Sequence, residues 1–126
     1  MIVVDASVVI ALLDPNDALH AAARAGLARY AGDDLKLPAS AYAESLVGPS
    51  RSGRLGAAKN AIGALLLDVV PITGLIAEEA AAFRARHSSL RLPDALVIAT
   101  GSVLGAMVVL TGDARWRGLT AAISVL

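Results

Sequence analysis

The sequence predicts an α/β fold, a central parallel sheet of four to five strands with helices on both faces, in one domain spanning residues 1–126. Two observations carry that expectation. Ile2-Val3-Val4 is a β-branched run with no polar alternation, the mark of a strand buried on both faces. Short apolar runs of similar character recur at Leu35–Leu37, Val69–Ile72, Met107–Leu110 and Ile123–Val125, most of them separated by helix-length segments. A chain that alternates strand and helix folds as a parallel sheet joined by right-handed crossovers. With 126 residues there is enough chain for one hydrophobic core, and no repeat or linker interrupts it.

Taken in order, Ser7 to Leu13 reads as a short helix or turn. Asp14-Pro15-Asn16-Asp17 then predicts a helix start, with Asp14 as N-cap, Pro15 at the first helical position and Asp17 in the first turn. Leu19, Ala22, Ala23, Leu27 and Tyr30 keep helical spacing, and Gly32 stops the run. Asp33 and Asp34 fall in the turn before the second strand, which is short and expected nearer an edge of the sheet. Ser40 is placed to cap the next helix, which carries Glu44 one turn in. Gly48 to Arg54 is the most loop-like stretch of the chain, and a helix is expected from about Leu55 to Leu67. Asp68 then ends that helix, and a third strand follows at Val69–Ile72. Thr73 or Gly74 leads into a helix that runs to about His87, where Ser88-Ser89 break it. Pro93 begins the helix bearing Asp94, which ends near Gly105. Met107–Leu110, the turn Thr111-Gly112-Asp113 and a last strand at Ile123–Val125 complete the sheet.

Composition narrows the function classes. The chain is 56% hydrophobic with four aromatic residues, and its mean hydropathy of +0.66 predicts an exposed apolar patch suited to self-association or a permanent partner. Ala95 to Gly112 carries no charge, yet Gly101, Ser102 and Gly105 interrupt it and its second half turns β-branched. A buried helix followed by a buried strand accounts for it better than a membrane span. The N-terminal apolar run contains Asp5 and lacks a basic flank, so a signal peptide is not expected and the protein is read as soluble and cytoplasmic. The absence of cysteine excludes disulfides and thiolate metal sites. Net charge is zero, so no global field draws the protein to nucleic acid.

Eleven acids are present and most are accounted for by position. Asp14 and Asp17 fall at a helix start, Asp33 and Asp34 in a turn, Asp68 at a helix end, Glu78 and Glu79 at another start. Four are left in apolar surroundings: Asp5, Glu44, Asp94 and Asp113. Each lies just after a strand or near the start of a helix, which places all of them on one edge of the sheet, where open α/β sheets bind ligands. Two carboxylates 4 Å apart repel by roughly 4 kcal/mol at an effective dielectric of about 20. Such a cluster persists only when protonated or neutralised by a cation, and all-oxygen ligation selects a hard ion, Mg²⁺ or Mn²⁺. Those ions suit phosphoryl chemistry, in which a water of lowered pKa attacks a phosphodiester. No Ser-His-Asp arrangement, Walker loop or G-x-G-x-x-G fingerprint competes.

The ordered set Ile2-Val3-Val4-Asp5-Ala6-Ser7-Val8, Ser40-Ala41-Tyr42-Ala43-Glu44, Leu92-Pro93-Asp94-Ala95-Leu96 and Leu110-Thr111-Gly112-Asp113 resembles the PIN-domain ribonucleases. More narrowly it is similar to VapC-type toxins of bacterial type II toxin–antitoxin pairs, and the likeness covers essentially the whole chain. The resemblance implies a Mg²⁺-dependent endoribonuclease (Mn²⁺ being the other candidate ion) that cuts structured RNA such as tRNA or rRNA. It also implies a homodimer held inactive by a VapB-type antitoxin that inserts a segment near the acids. By that likeness Asp5, Glu44, Asp94 and Asp113 are the catalytic and metal-binding positions, with Ser7 and Thr111 as hydroxyls that support the first and last acid. In that reading Asp5, Asp94 and Asp113 hold the ion, and Glu44 is a ligand or proton acceptor. One departure is that Ala114-Arg115-Trp116 offers no further acid or Asn after the fourth, so a second metal is expected to be weak or to bind only with RNA.

Several residues have two readings. Arg51, Arg54, Arg84, Arg86, Arg91 and Arg115 are candidate contacts for RNA or antitoxin. Against that, Arg84, Arg86 and His87 suit a helix C-terminus, Arg51 and Arg54 suit plain solubility, and Arg115 is placed to neutralise Asp113 in the metal-free state. His20 is expected on a solvated helix face, and Phe83 and Trp116 as core anchors rather than base-stacking platforms. With so few aromatics, recognition of backbone shape is expected over recognition of unstacked bases. The alternative to a nuclease is a catalytically silent interaction module of the same fold, binding a partner through apolar helices at residues 7–30 and 55–67. A phospho-accepting receiver domain is rejected, because Asp5 is followed by Ala6 and the only lysines are Lys36 and Lys59.

Overall fold

The structure, a computed structural model, describes residues 1–126. Five strands form one sheet: β1 (Ile2–Val4), β2 (Leu35–Pro38), β3 (Asp68–Val70), β4 (Val108–Thr111) and β5 (Ile123–Val125). Their order is β3-β2-β1-β4-β5 and every pairing is parallel. The helices are α1 (Ala6–Leu13), α2 (His20–Ala28), α3 (Ala39–Arg51), α4 (Leu55–Ala64), α5 (Gly74–Arg86) and α6 (Leu92–Leu104).

The non-alternating Ile2-Val3-Val4 run sits at the centre of the sheet. Side chains alternate faces along a strand, yet all three residues have 0% exposure, so helices cover both faces of β1. One cover is α6, which packs on β1, β2 and β4; α1 packs on β4 and against α2, α3 and α4. The α6 interior is small and aliphatic (Ala95, Val97, Ile98, Ala99), which allows close approach to the sheet. Gly101 is the tightest point, because a Cβ there would collide with the Val109 side chain. No helix is long and apolar enough to cross a membrane.

Several element boundaries differ from the expectation, each for a local reason. The second helix begins at His20 rather than at Asp14. The Asp14 and Asp17 carboxylates instead accept bonds from the Asn16 and Leu19 N–H groups, 2.9 and 2.8 Å, so the segment is spent in two Asx turns that compete with helix. The Gly48–Arg54 stretch is not a loop up to Arg51, because α3 runs through Pro49. Proline φ is compatible with helix, and near the end of α3 the helix absorbs the missing N–H and the crowding of the preceding turn's carbonyl. The stop comes from Ser52 and from Gly53 at φ +71, while the Arg54 N–H bonds the Pro49 carbonyl at 2.8 Å. Ser40 does not cap α3; Pro38 holds that position and the Ser40 hydroxyl is buried without a partner. The fourth helix stops at Ala64, short of Leu67, and the chain turns at Leu66, whose φ is +57.

Asp68 opens β3 instead of closing a helix, since its carboxylate meets Lys36 on β2 at 2.7 Å in register across the two strands. That pairing makes β3 the edge and moves β2 inside. The helix end at Gly105 (φ +66) and the last strand fall where expected, and β4 is shifted by one residue.

Candidate active site

The site is built at the carboxyl end of β1. Asp5 follows Val4 directly and is 6% exposed, and its N–H is held by the Leu110 carbonyl of β4 at 2.9 Å. Burial of a carboxylate demands partners, and two hydroxyls meet Oδ2: Ser7 Oγ at 2.5 Å and Thr111 Oγ1 at 2.9 Å. Each hydroxyl has one proton, and both are committed to Asp5. The 3.4 Å approach of Ser7 Oγ to Thr111 Oγ1 therefore has no proton left to bridge it. The hydroxyls accept in turn from the N–H groups of Gly112 (2.8 Å) and Asp113 (3.0 Å). A closed network thus locks the first acid to the turn that carries the last one. Desolvation pushes the Asp5 carboxyl above its ordinary range, against the lowering pull of Ser7, Thr111 and the N–H groups of Ala6 and Ser7. No side-chain donor reaches Oδ1.

Gly112 is the residue that sequence reasoning passed over. A Cβ there would lie 2.9 Å from Leu19 Cδ1 and 3.3 Å from Ser7 Oγ, so only glycine lets its N–H reach the Ser7 hydroxyl undisturbed. The signal lies in the Thr-Gly-Asp triplet, whose glycine sits between the hydroxyl and the acid.

Glu44 lies in the second turn of α3 and is exposed. Partial desolvation, then the negative charges of Asp5 and Asp94, raise its carboxyl above the ordinary range, while Arg91 opposes them. Glu44 is thus within electrostatic reach of both other acids. Asp94 is buried in the first turn of α6, and Arg91 Nε approaches its Oδ2 at 3.5 Å. Asp113 caps the 3₁₀ turn Ala114–Trp116 by accepting from the Arg115 N–H at 2.9 Å. The Arg115 guanidinium grips both its oxygens, with Nη2 at 2.6 Å from Oδ2, and holds that carboxyl below the ordinary range. Glu44 therefore lies within charge–charge range of Asp5 and Asp94, and Asp113, tied to Asp5 through Thr111, has its carboxylate turned to Arg115. With the side chains so placed, no three His, Asp or Glu residues form a ready ligand set for one ion. The donor chemistry nevertheless fits a hard divalent ion: all candidate donor atoms are carboxylate oxygens, and Asp5 is pre-oriented with Oδ1 met by no side-chain donor.

Beside Glu44, a groove of about 780 Å³ runs between α1, α3 and α4, lined among others by Ile10, Leu13, Asn16, Ser45 and Arg54. Of the basic candidates, Arg91 and Arg115 stand at the acids and Arg54 lines this groove, its Nε on the Ser52 hydroxyl at 3.1 Å. Arg51 is exposed in the last turn of α3. Arg84 and Arg86 occupy the last turn of α5, with Arg86 over the Phe83 ring at 5.5 Å and His87 stacked on it at 4.5 Å. Phe83 and Trp116 are core residues, as expected. His20 is not solvated: half-buried, it places Nδ1 2.7 Å from the Ala11 carbonyl.

Solved structures of the same fold cover nearly the whole chain. A toxin–antitoxin complex from Klebsiella pneumoniae superposes with a TM-score of 0.83 at 20% identity, over 99% of this chain and 97% of that one. VapC20 of Mycobacterium tuberculosis, a sarcin–ricin-loop-cleaving toxin, matches with a TM-score of 0.72 at 22% identity, over 95% and 97%. VapBC2 of Rickettsia felis, bound to a promoter DNA fragment, gives 0.79 at 12% identity, over 99% and 98%. No curated protein matches the sequence. The PIN-domain family model matches residues 2–121 of this five-stranded parallel α/β chain, all four acids included: the chain belongs to the PIN-domain family.

Proposed function

We propose that this chain, acting as one nuclease domain over residues 1–126, is the toxin of a type II toxin–antitoxin pair, a metal-dependent endoribonuclease that cuts structured RNA. The observation that carries the reading is the buried Asp5 at the end of the central strand, fixed by Ser7 and Thr111 and felt electrostatically by Glu44, which also feels Asp94. Kinship with PIN domains supports it, as do the toxins and toxin–antitoxin complexes among the structural neighbours. Asp5, Asp94, Asp113 and Glu44 would hold Mg²⁺ or Mn²⁺. Such an ion lowers the pKa of a water and offsets charge on the scissile phosphate.

The chain's own residues do the rest. Ser7 and Thr111 orient Asp5 and favour its charged form against the larger opposing effect of burial. Glu44, exposed at the groove and with a raised pKa, is the group best suited to accept a proton. Arg54, Arg91 and Arg115 present guanidinium forks to RNA phosphates, and Arg51, Arg84 and Arg86 extend the basic surface. A VapB-type antitoxin is the expected partner, a homodimer the expected assembly and the cytoplasm the expected compartment. Exposed Leu66, Leu75 and Met107 supply apolar surface for such contacts.

A second reading, a catalytically silent interaction module, is favoured by one observation. Asp94 and Asp113 each already face an arginine, and no ready ligand set exists. Mapping of cleavage sites on total RNA separates the two. The nuclease reading expects discrete cuts with wild type and Mg²⁺, and none with EDTA or with Asp5→Asn. Equal cutting by Asp5→Asn would remove the assignment.

A further inference from the structure

Of the nine arginines, only Arg91 and Arg115 meet a carboxylate, and both carboxylates belong to the candidate site. Both oxygens of Asp113 are engaged by one residue. Oδ1 accepts the Arg115 N–H at 2.9 Å and Nε at 3.0 Å, and Oδ2 accepts Nε at 3.1 Å and Nη2 at 2.6 Å. A cation taking the Asp113 carboxylate would have to compete with this charge-assisted fork for the same two oxygens. The arginine side chains themselves are 74% and 68% exposed, against 20% and 11% for Asp113 and Asp94. Release into water therefore costs each arginine little, while the acids stay at the site. Electrostatic reach also crosses the pairs: Arg115 feels Asp94, and Arg91 acts on Asp113 and Glu44.

We propose that Arg115, seconded by Arg91, is a built-in counter-cation of the acid cluster. It occupies Asp113 while no divalent ion is bound and is displaced when an ion takes that carboxylate. This rests on the nuclease reading and adds to it a residue that sets ion affinity. It fits the way both oxygens of Asp113 are taken up by Arg115 rather than left open to an ion.

The test uses Mn²⁺ alone, titrated by calorimetry into wild type, Arg115→Gln, Arg115→Lys and Asp5→Asn, with melting temperatures taken with EDTA and with saturating Mn²⁺. Arg115→Gln is expected to bind Mn²⁺ about five-fold more tightly, the upper range for an exposed but bidentate pair, with Arg115→Lys in between. It is also expected to melt below wild type with EDTA and level with it in Mn²⁺. Unchanged affinity, with the same melting deficit in both conditions, makes Arg115 a plain surface partner and overturns the proposal. In that case loss of Mn²⁺ binding in Asp5→Asn would leave the nuclease reading standing. If wild type itself binds no Mn²⁺, the counter-cation and the nuclease reading fall together.

Discussion

Replacing Thr111 by Val tests the network that fixes the first acid. The side chain is fully buried (0% exposed), so a near-isosteric change leaves packing almost untouched and removes one hydroxyl. That hydroxyl donates to Asp5 Oδ2 at 2.9 Å and accepts from the Asp113 N–H at 3.0 Å. Loss of a hydrogen bond to a buried charge costs about 1.5–3 kcal/mol, and an N–H left without an acceptor adds about 1 kcal/mol. The sum, about 3 kcal/mol, is to be measured by urea unfolding of the metal-free protein at pH 7.5, read at unchanged m-value.

The penalty depends on pH, with a definite sign. The folded-state pKa of Asp5 is raised, so the stability tied to its protonated form is complete below about 3.8 and is lost as pH climbs through the folded value. Thr111 is one of the groups that lower this pKa, so Thr111→Val raises it further. The variant's deficit should therefore be larger at pH 7.5 than at pH 4. A double-mutant cycle with Asp5→Asn should return a coupling of about 1 kcal/mol or more. A deficit under about 0.5 kcal/mol at both pH values would refute the network as an energetic unit.

Other expectations follow from the same geometry. Raising the pH of metal-free protein from about 4 to 8 should reduce stability through the raised carboxyls of Asp5 and Glu44, and Asp5→Asn should flatten that slope; Asp113, with its lowered pKa, acts in the opposite sense only as pH falls. Mg²⁺ at 100 times its dissociation constant should add about 2.7 kcal/mol, or about 10 °C in melting temperature for a chain of this size, and EDTA should remove it. Gly101→Ala should destabilise by about 1–3 kcal/mol in urea unfolding despite alanine's better helix propensity, because its methyl meets Val109. Gly112→Ala should impair RNA cleavage more than it impairs folding, since its Cβ presses on the Ser7 hydroxyl at 3.3 Å.

What the sequence made legible was the part governed by long-range burial. Ile2-Val3-Val4 announced the central strand, Gly105 the end of α6, and the four acids in apolar settings the candidate site. What it hid was settled by short-range competition. Asp14-Pro15 has every mark of a helix start, yet the Asp14 and Asp17 carboxylates capture nearby N–H groups first. Gly48 and Pro49 look like a loop, yet a proline needs only a tolerant neighbour to stay helical. The edge position of β3 rests on its parallel pairing with β2, across which Lys36 meets Asp68, a contact 32 residues apart that no local pattern records. At the site, the Arg115 contact to Asp113, two residues apart, was legible in the sequence, but the role of Gly112 exists only once β4 and α1 are packed together.

The account stands on one ion shared by acids that are remote in sequence. The direct measurement is Mn²⁺ binding by calorimetry to wild type and to Asp5→Asn, Glu44→Gln and Asp94→Asn, each checked for unchanged fold by circular dichroism. One high-affinity site in wild type, weakened at least ten-fold by each of the three substitutions, is the predicted result. A folded Asp5→Asn or Asp94→Asn protein that binds Mn²⁺ as tightly as wild type would contradict it.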